Sequence, residues 1–422
     1  MTVDSDSGLL PRNVTSLLDE MLAESPAVII QGARQVGKST LLQQTVKRYG
    51  GEVVSLDDAN TRMAVSESPQ EYLQIQLRNP GLVAFDEVQR TPELLVAVKA
   101  AIDQDRRPGR FLLAGSADLL HVSGVNESLA GRAETMTLWG FSQGETGCVI
   151  DDFVSKMMAG QADSSGSYSP VRYSELIVRG GYPPARGRSS RGRARWFGNY
   201  ARSVIDHDAA EISGLAALDR LDVLLRLIAA ETSQELVLAR VSRATGVPER
   251  SLPPYLRLLE DLYLTRRLPP WGHNLAKRVI GKPKAHVADT GLAAHLAGVT
   301  EAMLDDLSQR QKLGGLLESF VVAELAKQHA WTKTPYRLFH FRDSTGPEVD
   351  AVIELADGGI IGVEVKSSGR LDRQDFKGLQ YLRDKIGSQF LLGAVLYTGT
   401  QALPWGDRLL ALPVSALWQE AR

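Results

Sequence analysis

The chain has 422 residues, with 48 lysines and arginines, 50 aspartates and glutamates, and one cysteine. This length predicts two to four domains, because a single hydrophobic core stops growing near about 250–300 residues. A hydrophobic fraction of 43% and a charged fraction of 23% are typical of globular proteins and exclude a wholly disordered chain. The formal net charge of −2 excludes no nucleic-acid partner, because it averages over all domains.

The composition also predicts a cytoplasmic protein without a membrane partner. The single Cys148 cannot form an internal disulfide, as expected in a reducing compartment. The first residues are acidic and lack the basic and apolar regions of a signal peptide. No window approaches the roughly 18 uncharged apolar residues that cross a bilayer.

Short apolar runs alternate with helical stretches over the first part of the chain. A helix is predicted over residues 14–24, and further helical periodicity covers residues 39–49 and 93–103. The apolar runs, which predict buried strands, lie at 28–30, 53–54, 82–85 and 111–113. Such alternation favours an α/β fold in which a parallel sheet carries helices on both faces.

A glycine-rich phosphate-binding motif follows the first of these strands. It matches G-x-x-x-x-G-K-[ST] and opens a helix, as its mechanism requires. The backbone N–H groups wrap the phosphates, Lys38 reaches the β- and γ-phosphates, and Ser39 holds Mg²⁺. The predicted nucleotide-binding residues are Gly32, Ala33, Arg34, Gln35, Val36, Gly37, Lys38, Ser39 and Thr40.

Two carboxylates complete the motif at the end of the strand 82–85. Asp86 suits the Mg²⁺ coordination sphere, and Glu87 suits the residue that orients and deprotonates an attacking water. The strand 111–113 leads to Ser116, which places a hydroxyl near the γ-phosphate. Because no N-K-x-D guanine-reading motif occurs, ATP is favoured over GTP. Residues 1–155 are therefore predicted to form a P-loop ATPase domain.

The motifs together resemble a large prokaryotic family that pairs an AAA-type ATPase domain with a C-terminal domain of unknown function. The resemblance covers nearly the whole chain and rests on residues 32–40, 85–90, 112–117, 128–132 and 180–183. It implies that Arg132 is an arginine finger or sensor, and that the protein forms a homo-oligomer in which Arg132 can act on a neighbour's ATP. The alternative is a surface arginine that follows a glycine turn.

The middle of the chain is predicted to contain a linker and helical extension over 156–200 and a helical, winged-helix-like domain over 201–285. A helix over 236–245, a turn, a second helix from Ser251 and a strand over 263–268 resemble a winged helix-turn-helix. Residues 236–288 carry ten basic and three acidic residues, which makes DNA a candidate partner. However, Pro253 and Pro254 shorten the second helix, and the family resemblance equally allows a module that transmits nucleotide state.

Two alternating apolar runs around a glycine turn predict a β-hairpin over residues 349–366, within a C-terminal domain over 286–422. A three-residue loop over 357–359 places residue 351 opposite 365 and residue 353 opposite 363. This register puts Asp350 opposite Lys366 and Val352 opposite Glu364 on one face. The remaining face carries the apolar residues.

The charged face of this hairpin matches the needs of metal-assisted phosphodiester cleavage. Asp350 and Glu364 would bind one or two Mg²⁺, and Lys366 would polarise the attacking water or the phosphate. The arrangement D-x(13)-E-x-K resembles restriction-endonuclease-like nucleases, which implies that Glu318 on a preceding helix completes the site. The alternative is an amphipathic hairpin whose outer face carries charge without chemistry.

The sequence thus predicts an ATP-hydrolysing, DNA-associated protein that couples a P-loop ATPase to a nuclease-like C-terminal domain. The alternative is a nucleotide-dependent switch or scaffold whose C-terminal domain binds a partner without catalysis.

Another charged group lies at residues 206–208. Its side chains do not share a helical face, and it is interpreted as a solvated or capping segment.

Overall fold

The computed structural model describes most of the chain, including all the predicted strands. The described residues are 9–116, 129, 131–160, 166–212, 219–272, 281–306, 308, 310–343 and 346–420. Parts of the predicted linker, of the basic segment and of the motif over 128–132 therefore lie outside the described residues.

A five-stranded parallel sheet forms the first layered unit, as predicted from the alternating apolar runs. Its order is β2-β3-β4-β1-β5. The strands are β1 Ala27–Gln31, β2 Gly51–Ser55, β3 Leu82–Asp86, β4 Phe111–Gly115 and β5 Ala133–Thr137. Strand β5 was not predicted, because it contains no apolar run. Its residues are mainly polar, as is typical of an exposed edge strand. Since β4 lies between β1 and β3, the three loops after these strands meet at one edge of the sheet.

Helices cover both faces of this sheet. Val28 and Ile30 of β1 join one apolar core, and Ala27 and Ile29 join the other. This alternation follows from the two-residue period of a strand. The helices of this part are α1 Thr15–Glu24, α2 Lys38–Tyr49, α3 Ala59–Glu67, α4 Pro69–Gln76, α5 Pro92–Gln104, α6 Gln143–Thr146 and α7 Phe153–Met158.

The middle of the chain is mainly helical and contains a small sheet of order β6-β8-β7. The helices are α8 Tyr173–Arg179, α9 Pro183–Arg186, α10 Ser190–Ser203, α11 Ala209–Ile212, α12 Asp219–Ala230, α13 Leu238–Thr245, α14 Leu252–Asp261, α15 Thr290–Leu296 and α16 Glu301–Asp305. A π-helical turn over Val204–Asp208 joins α10 to α11. The strands are β6 Gln234–Glu235, β7 Thr265–Leu268 and β8 Lys284–Val287.

The third unit is a mixed sheet of order β13-β14-β12-β11-β10-β9, with antiparallel β9, β10 and β11 and parallel pairs β11–β12 and β12–β14. Helices α17 Arg310–Gln328 and α18 Lys377–Ile386 lie on its two faces. The strands are β9 Tyr336–Arg342, β10 Glu348–Leu355, β11 Ile360–Lys366, β12 Phe390–Tyr397, β13 Leu403–Pro404 and β14 Leu409–Pro413.

The predicted hairpin exists, but its register differs by two residues from the prediction. Ala351 pairs with Val363 and Ile353 with Ile361, so residue 350 lies opposite 364 instead of 366. The loop closes one residue earlier, because Gly358 N donates to Leu355 O at 3.0 Å. A shift of two residues keeps every side chain on its face, and the apolar pattern alone could not detect it.

The second face of the hairpin is also not the open polar face that was predicted. Val352 is fully buried, because it packs in one apolar cluster with Leu379 of α18 and with Phe376 of the 3₁₀ turn that precedes α18. A β-bulge between Val349 and Val352 turns both valines toward α18. Asp350, inside the bulge, instead reaches groups near α17.

Among the residues that the structure describes, none of the helices has the length and apolar character needed to cross a membrane.

Candidate functional site

The phosphate-binding loop connects the buried strand β1 to the amino end of α2, as the sequence predicted. Gly32 has φ +151°, and a Cβ at this position would lie 2.1 Å from the carbonyl oxygen of Leu138. Only glycine allows the loop to pass this close to the chain that follows β5. The loop therefore directs the first N–H groups of α2 toward the carboxyl edge of the sheet, where an anion is favoured.

Lys38 lies at the base of this loop and is buried. Its Nζ donates to Gly32 O at 2.8 Å and to Ala33 O at 2.9 Å. Burial lowers the pKa of Lys38 to about 8, although the carboxylates of Glu87 and Asp86 oppose this shift. The ammonium group thus donates to two neutral carbonyl oxygens. Phosphate oxygens can replace these acceptors, because hydrogen bonds between oppositely charged groups are stronger.

Ser39 and Asp86 lie together beside this lysine. Burial raises the pKa of Asp86, and the nearby Ser39 side chain acts in the opposite direction. A hydroxyl and a buried carboxylate are oxygen ligands that suit Mg²⁺, directly or through water. These two residues therefore fit the ion that accompanies ATP, and would hold it where it neutralises charge on the β- and γ-phosphates.

Glu87 follows Asp86 in a left-handed backbone conformation, with φ 58° and ψ 44°. This conformation is uncommon for a residue other than glycine, and its strain is typical of functional sites. The Gln89 amide donates to the Glu87 carboxylate and, at 3.0 Å, to Ser116 Oγ. Gln89 was not predicted, and it links the two predicted residues Glu87 and Ser116 across the ends of β3 and β4.

A second contact to the loop comes from the segment over 206–208, which was interpreted as solvated. Asp208 is buried, and its Oδ2 lies 2.9 Å from Nε of Arg34 in the phosphate-binding loop. The Tyr200 hydroxyl also donates to Arg34 O at 3.4 Å. Asp208 is the last residue of the π-helical turn that joins α10 to α11. The interpretation of residues 206–208 as a solvated or capping segment fits the exposed Asp206 and His207 but not Asp208, which is buried.

The loop is supported from the other side by Arg12, which was also not predicted. Its guanidinium donates to Val36 O at 2.9 Å, to Trp139 O at 2.6 Å and to Glu145 Oε1 at 2.9 Å. Tyr263 of the middle segment reaches the same region, donating to Gln31 Oε1 at 2.7 Å. The nucleotide site is thus in direct contact with chain segments far away in sequence.

We expect Arg12→Met to lower the free energy of unfolding by about 3–5 kcal/mol, because Glu145 would remain as a buried charge without its partner. Arg48→Ala is the matched control, since the Arg48–Asp19 pair is exposed and should change stability by less than about 1 kcal/mol. Urea unfolding measures both. Equal effects of the two substitutions would contradict the role of Arg12.

The structure does not bring Arg132 to the phosphate-binding loop of its own chain. Arg132 precedes β5, at the amino edge of the parallel sheet, whereas the loop follows β1 at the carboxyl edge. Its guanidinium instead forms two hydrogen bonds with Asp103, at 2.7 and 3.1 Å. A contact with its own nucleotide is excluded in this arrangement, and an action on a neighbouring subunit stays a prediction.

The basic segment 236–288 is less available for DNA than its charge suggested. Arg266 stacks on Trp139 at 4.2 Å, and Lys284 is buried. Arg240 and Arg267 pair with Glu231 and Glu260. Six basic residues in the described part of the segment are exposed, namely Arg240, Arg243, Arg250, Arg257, Arg267 and Lys282, and two of them, Arg240 and Arg267, are held in these ion pairs. Helix α14 exposes little besides two prolines and Arg257, which leaves few side chains for reading bases.

The predicted residues of the C-terminal domain do come together, but a lysine lies between them. Lys284 Nζ is 2.7 Å from Glu318 Oε1 and 3.3 Å from Asp350 Oδ1. It is also 2.7 Å from Glu348 Oε1, and its side chain is 2% exposed. Burial alone would lower the pKa of Lys284, but attraction to the three carboxylates outweighs it and raises the pKa. Lys284 and Glu348 had not been predicted as site residues. We call these four residues the carboxylate cluster.

Glu364 and Lys366 lie next to this cluster and pair with each other at 2.9 Å. Asp350 connects the two groups, because its Oδ2 accepts the Val365 N–H at 2.9 Å. Burial raises the pKa of Glu364, and the nearby charge of Asp350 raises it further. The predicted residues thus form two adjacent ion-pair groups instead of one open face.

This arrangement does not fit a divalent ion. Among the residues that the structure describes, no group of three or more histidine, cysteine, aspartate or glutamate side chains converges in a way that could hold a metal. The cluster oxygens lie 2.7–3.3 Å from the Lys284 ammonium. Mg²⁺ requires oxygens at about 2.0–2.1 Å. The spacing is that of an ammonium group and not that of a metal.

Comparison with known families divides the chain into three matching regions. Residues 24–147 match the AAA domain, residues 171–303 match a domain of unknown function (DUF8612), and residues 313–417 match another domain of unknown function (DUF4143). The AAA match covers the phosphate-binding loop, Asp86 and Glu87. Together with the parallel sheet, this match supports an α/β P-loop fold for this part of the chain.

Two mycobacterial proteins are similar to this chain over most of its length. Uncharacterized proteins of Mycobacterium tuberculosis and Mycobacterium bovis are each 28% identical over 409 residues, which are 96% of this chain and 84% of the relative. Among solved structures, a Walker-type ATPase of Pyrococcus abyssi is 16% identical, with a TM-score of 0.43. It covers 68% of this chain and 96% of its own.

Proposed function

We propose that this protein binds and hydrolyses ATP, and that nucleotide state acts on its middle and C-terminal parts. The observation that carries the proposal is the convergence of Lys38, Asp86 and Glu87 at the carboxyl edge of one parallel sheet. The AAA match over residues 24–147 supports it. Phosphate release by the purified chain tests the proposal, and no release with ATP and Mg²⁺ under any condition would refute it.

The residues of the site divide the work of hydrolysis. The N–H groups of the loop and Lys38 bind the phosphate oxygens, while Glu87 accepts a proton from the attacking water. The water oxygen then forms a bond to the γ-phosphorus, and the bond from this phosphorus to the bridging oxygen breaks, with the electron pair leaving on ADP. Gln89 orients Glu87 and Ser116, which it links by hydrogen bonds.

Two contacts offer a route from the nucleotide to the rest of the chain. Arg34 pairs with Asp208 at 2.9 Å, and Gln31 accepts a hydrogen bond from Tyr263 at 2.7 Å. Both partners belong to the middle of the chain. A phosphate bound to the loop changes the charge around Arg34, and this change acts on its pair with Asp208.

We further propose a homo-oligomer in which Arg132 approaches the nucleotide of a neighbouring subunit. The position of Arg132 on the opposite edge of the sheet supports an action in trans over one in cis.

The domain limits at residues 155, 200 and 285 also stay predictions. The matched regions 24–147, 171–303 and 313–417 lie near them without coinciding.

For the C-terminal domain we favour the switch or scaffold over the nuclease. The order of α17, the antiparallel strands β9 to β11, α18 and the parallel strand β12 supports the resemblance to restriction-endonuclease-like folds. The convergence of Glu318 and Asp350, with Glu364 and Lys366 beside them, favours nuclease activity as the second candidate. Lys284 argues against it, because it takes the place that a metal ion would need.

The two candidates differ in a cleavage assay. We expect the wild-type protein to leave supercoiled DNA and RNA intact with Mg²⁺ or Mn²⁺, with or without ATP. Cleavage that disappears in both Asp350→Ala and Asp350→Asn would establish the nuclease and contradict the switch.

DNA association through the segment 236–288 is a separate proposal. It is supported by the helix pair α13 and α14 and by four exposed basic residues outside the ion pairs of Arg240 and Arg267, namely Arg243, Arg250, Arg257 and Lys282. If all four contact phosphates, the logarithm of affinity should fall with the logarithm of salt concentration with a slope of about −3.6. The double substitution Arg250→Ala/Arg257→Ala should reduce the slope by about 2. Fluorescence anisotropy measures the slope, and Arg106→Ala, an exposed residue of the ATPase domain, is the control. A flat salt response would refute the contact.

A further inference from the structure

We propose that Lys284 replaces a divalent cation in the carboxylate cluster, so that the C-terminal domain carries an internal ion-pair network where nuclease-like folds bind metal. This inference rests on the resemblance of the C-terminal domain and not on ATP hydrolysis. It identifies Lys284, outside the family motifs, as the residue that decides whether the domain is a metal centre.

The geometry of the cluster supports the replacement. Three carboxylates contributed by α17 and β10 surround one ammonium group, which reaches them from β8. Two of the distances are 2.7 Å, the ordinary length of a charge-assisted hydrogen bond. Lys284 donates hydrogen bonds to Glu318 and Asp350 and forms an ion pair with Glu348. Its charge is therefore balanced within this one set of partners.

The charge balance supports it as well. Glu318 and Asp350 lie close to each other with 13% of each side chain exposed, and desolvation together with the Asp350 charge raises the pKa of Glu318. Such a group of acids requires a cation, which can be a metal or a basic side chain. Arg342 Nη1 lies 3.7 Å from Glu348 Oε2 and adds a second positive charge. The chain itself supplies the charge that a metal would bring.

The lysine is also held in place by its own strand. His286, two residues along β8 and on the same side, forms a 3.0 Å hydrogen bond with Ser319 Oγ of α17. Ser319 is bonded further to Thr232 at 2.8 Å and Ser233 at 2.9 Å. Burial lowers the pKa of His286 to about 3, so this ring stays neutral and adds no charge beside Lys284. The buried hydrogen bonds fix β8 against α17, and Lys284 with it.

The test measures Mn²⁺ binding without nucleotide, by electron paramagnetic resonance of free Mn²⁺ and by calorimetry, on the full chain. We expect no Mn²⁺ bound at the cluster in wild type, so that Asp350→Asn leaves the binding isotherm unchanged. Lys284→Ala should create one site that binds about tenfold or more tighter than any site of wild type, because ligand charge sets divalent affinity. Adding Asp350→Asn to Lys284→Ala should remove it.

Lys282→Ala is the matched control, since Lys282 is exposed two residues before Lys284 and should create no site. Wild-type Mn²⁺ binding that Asp350→Asn abolishes would overturn the proposal, as would a folded Lys284→Ala protein that binds no Mn²⁺. If Lys284→Ala unfolds, its melting temperature is measured with and without Mn²⁺, and failure of Mn²⁺ to raise it also overturns the proposal. None of these results depends on ATP hydrolysis, which phosphate release tests separately.

Discussion

Glu87→Gln should bind ATP with unchanged affinity but hydrolyse it about 10²–10⁴-fold more slowly, the range expected when a general base is lost. Glutamine has the same shape, and it can keep its contact with the Gln89 amide through its carbonyl oxygen. It cannot accept the proton of the attacking water. Single-turnover phosphate release and equilibrium binding of a fluorescent ATP analogue separate the two effects.

Glu93→Gln provides the control for this substitution. Glu93 is an exposed carboxylate in the first turn of α5, close to Glu87 in sequence, and its loss should leave turnover unchanged. Normal turnover in Glu87→Gln would show that another group activates the water. Lost affinity instead of lost turnover would place Glu87 in nucleotide binding.

Lys38→Ala should remove most nucleotide binding, and hydrolysis with it. Truncating one member of a buried charged pair costs about 2–5 kcal/mol, or roughly 30-fold to several thousand-fold in affinity. The loop motif contains two basic residues, Arg34 and Lys38. Because Arg34 pairs with Asp208, Lys38 is the one whose positive charge is available to the β- and γ-phosphates. Equilibrium binding of the ATP analogue measures the loss.

Two further variants separate binding from stability. Lys47→Ala changes an exposed lysine on the same helix and should leave affinity unchanged. Lys38→Met keeps most of the side-chain volume and should lose binding to the same extent as Lys38→Ala, because charge and not packing is what ATP needs. Retained binding in Lys38→Met would contradict the assignment.

The protonation of Lys38 makes the free energy of unfolding depend on pH. Since burial lowers its pKa to about 8 in the folded protein, the ammonium form is disfavoured by folding, and this cost is present below the ordinary pKa. Bound phosphates would favour the charged form and raise the pKa again.

The parts of the site that could be predicted are those whose chemistry is contained in a short stretch of chain. The loop over 32–39 and the pair Asp86 and Glu87 each follow an apolar strand, so that local pattern and motif together place them at one edge of a parallel sheet. In the same way, Gly246 indicated where α13 ends, and Pro253 indicated where α14 begins.

The hairpin shows the limit of local pattern. Its existence and the faces of its apolar residues were predicted, but its register was off by two residues and its second face proved to be covered. Alternation has a period of two, so a shift of two residues leaves the pattern unchanged. The cover comes from α18, and nothing in the hairpin sequence reveals which face a later helix will meet.

The sequence by itself determined the P-loop fold and its candidate nucleotide site, because the residues of that site are carried by contiguous motifs at the ends of strands. The tertiary structure alone decided what surrounds those groups and what the C-terminal acids do. Arg12, Asp208 and Lys284 reach their partners across long stretches of chain, with Lys284 lying 34 residues from Glu318 and 66 from Asp350. A charge without a motif becomes a counter-ion only where folding brings it within hydrogen-bonding distance of acids buried with it.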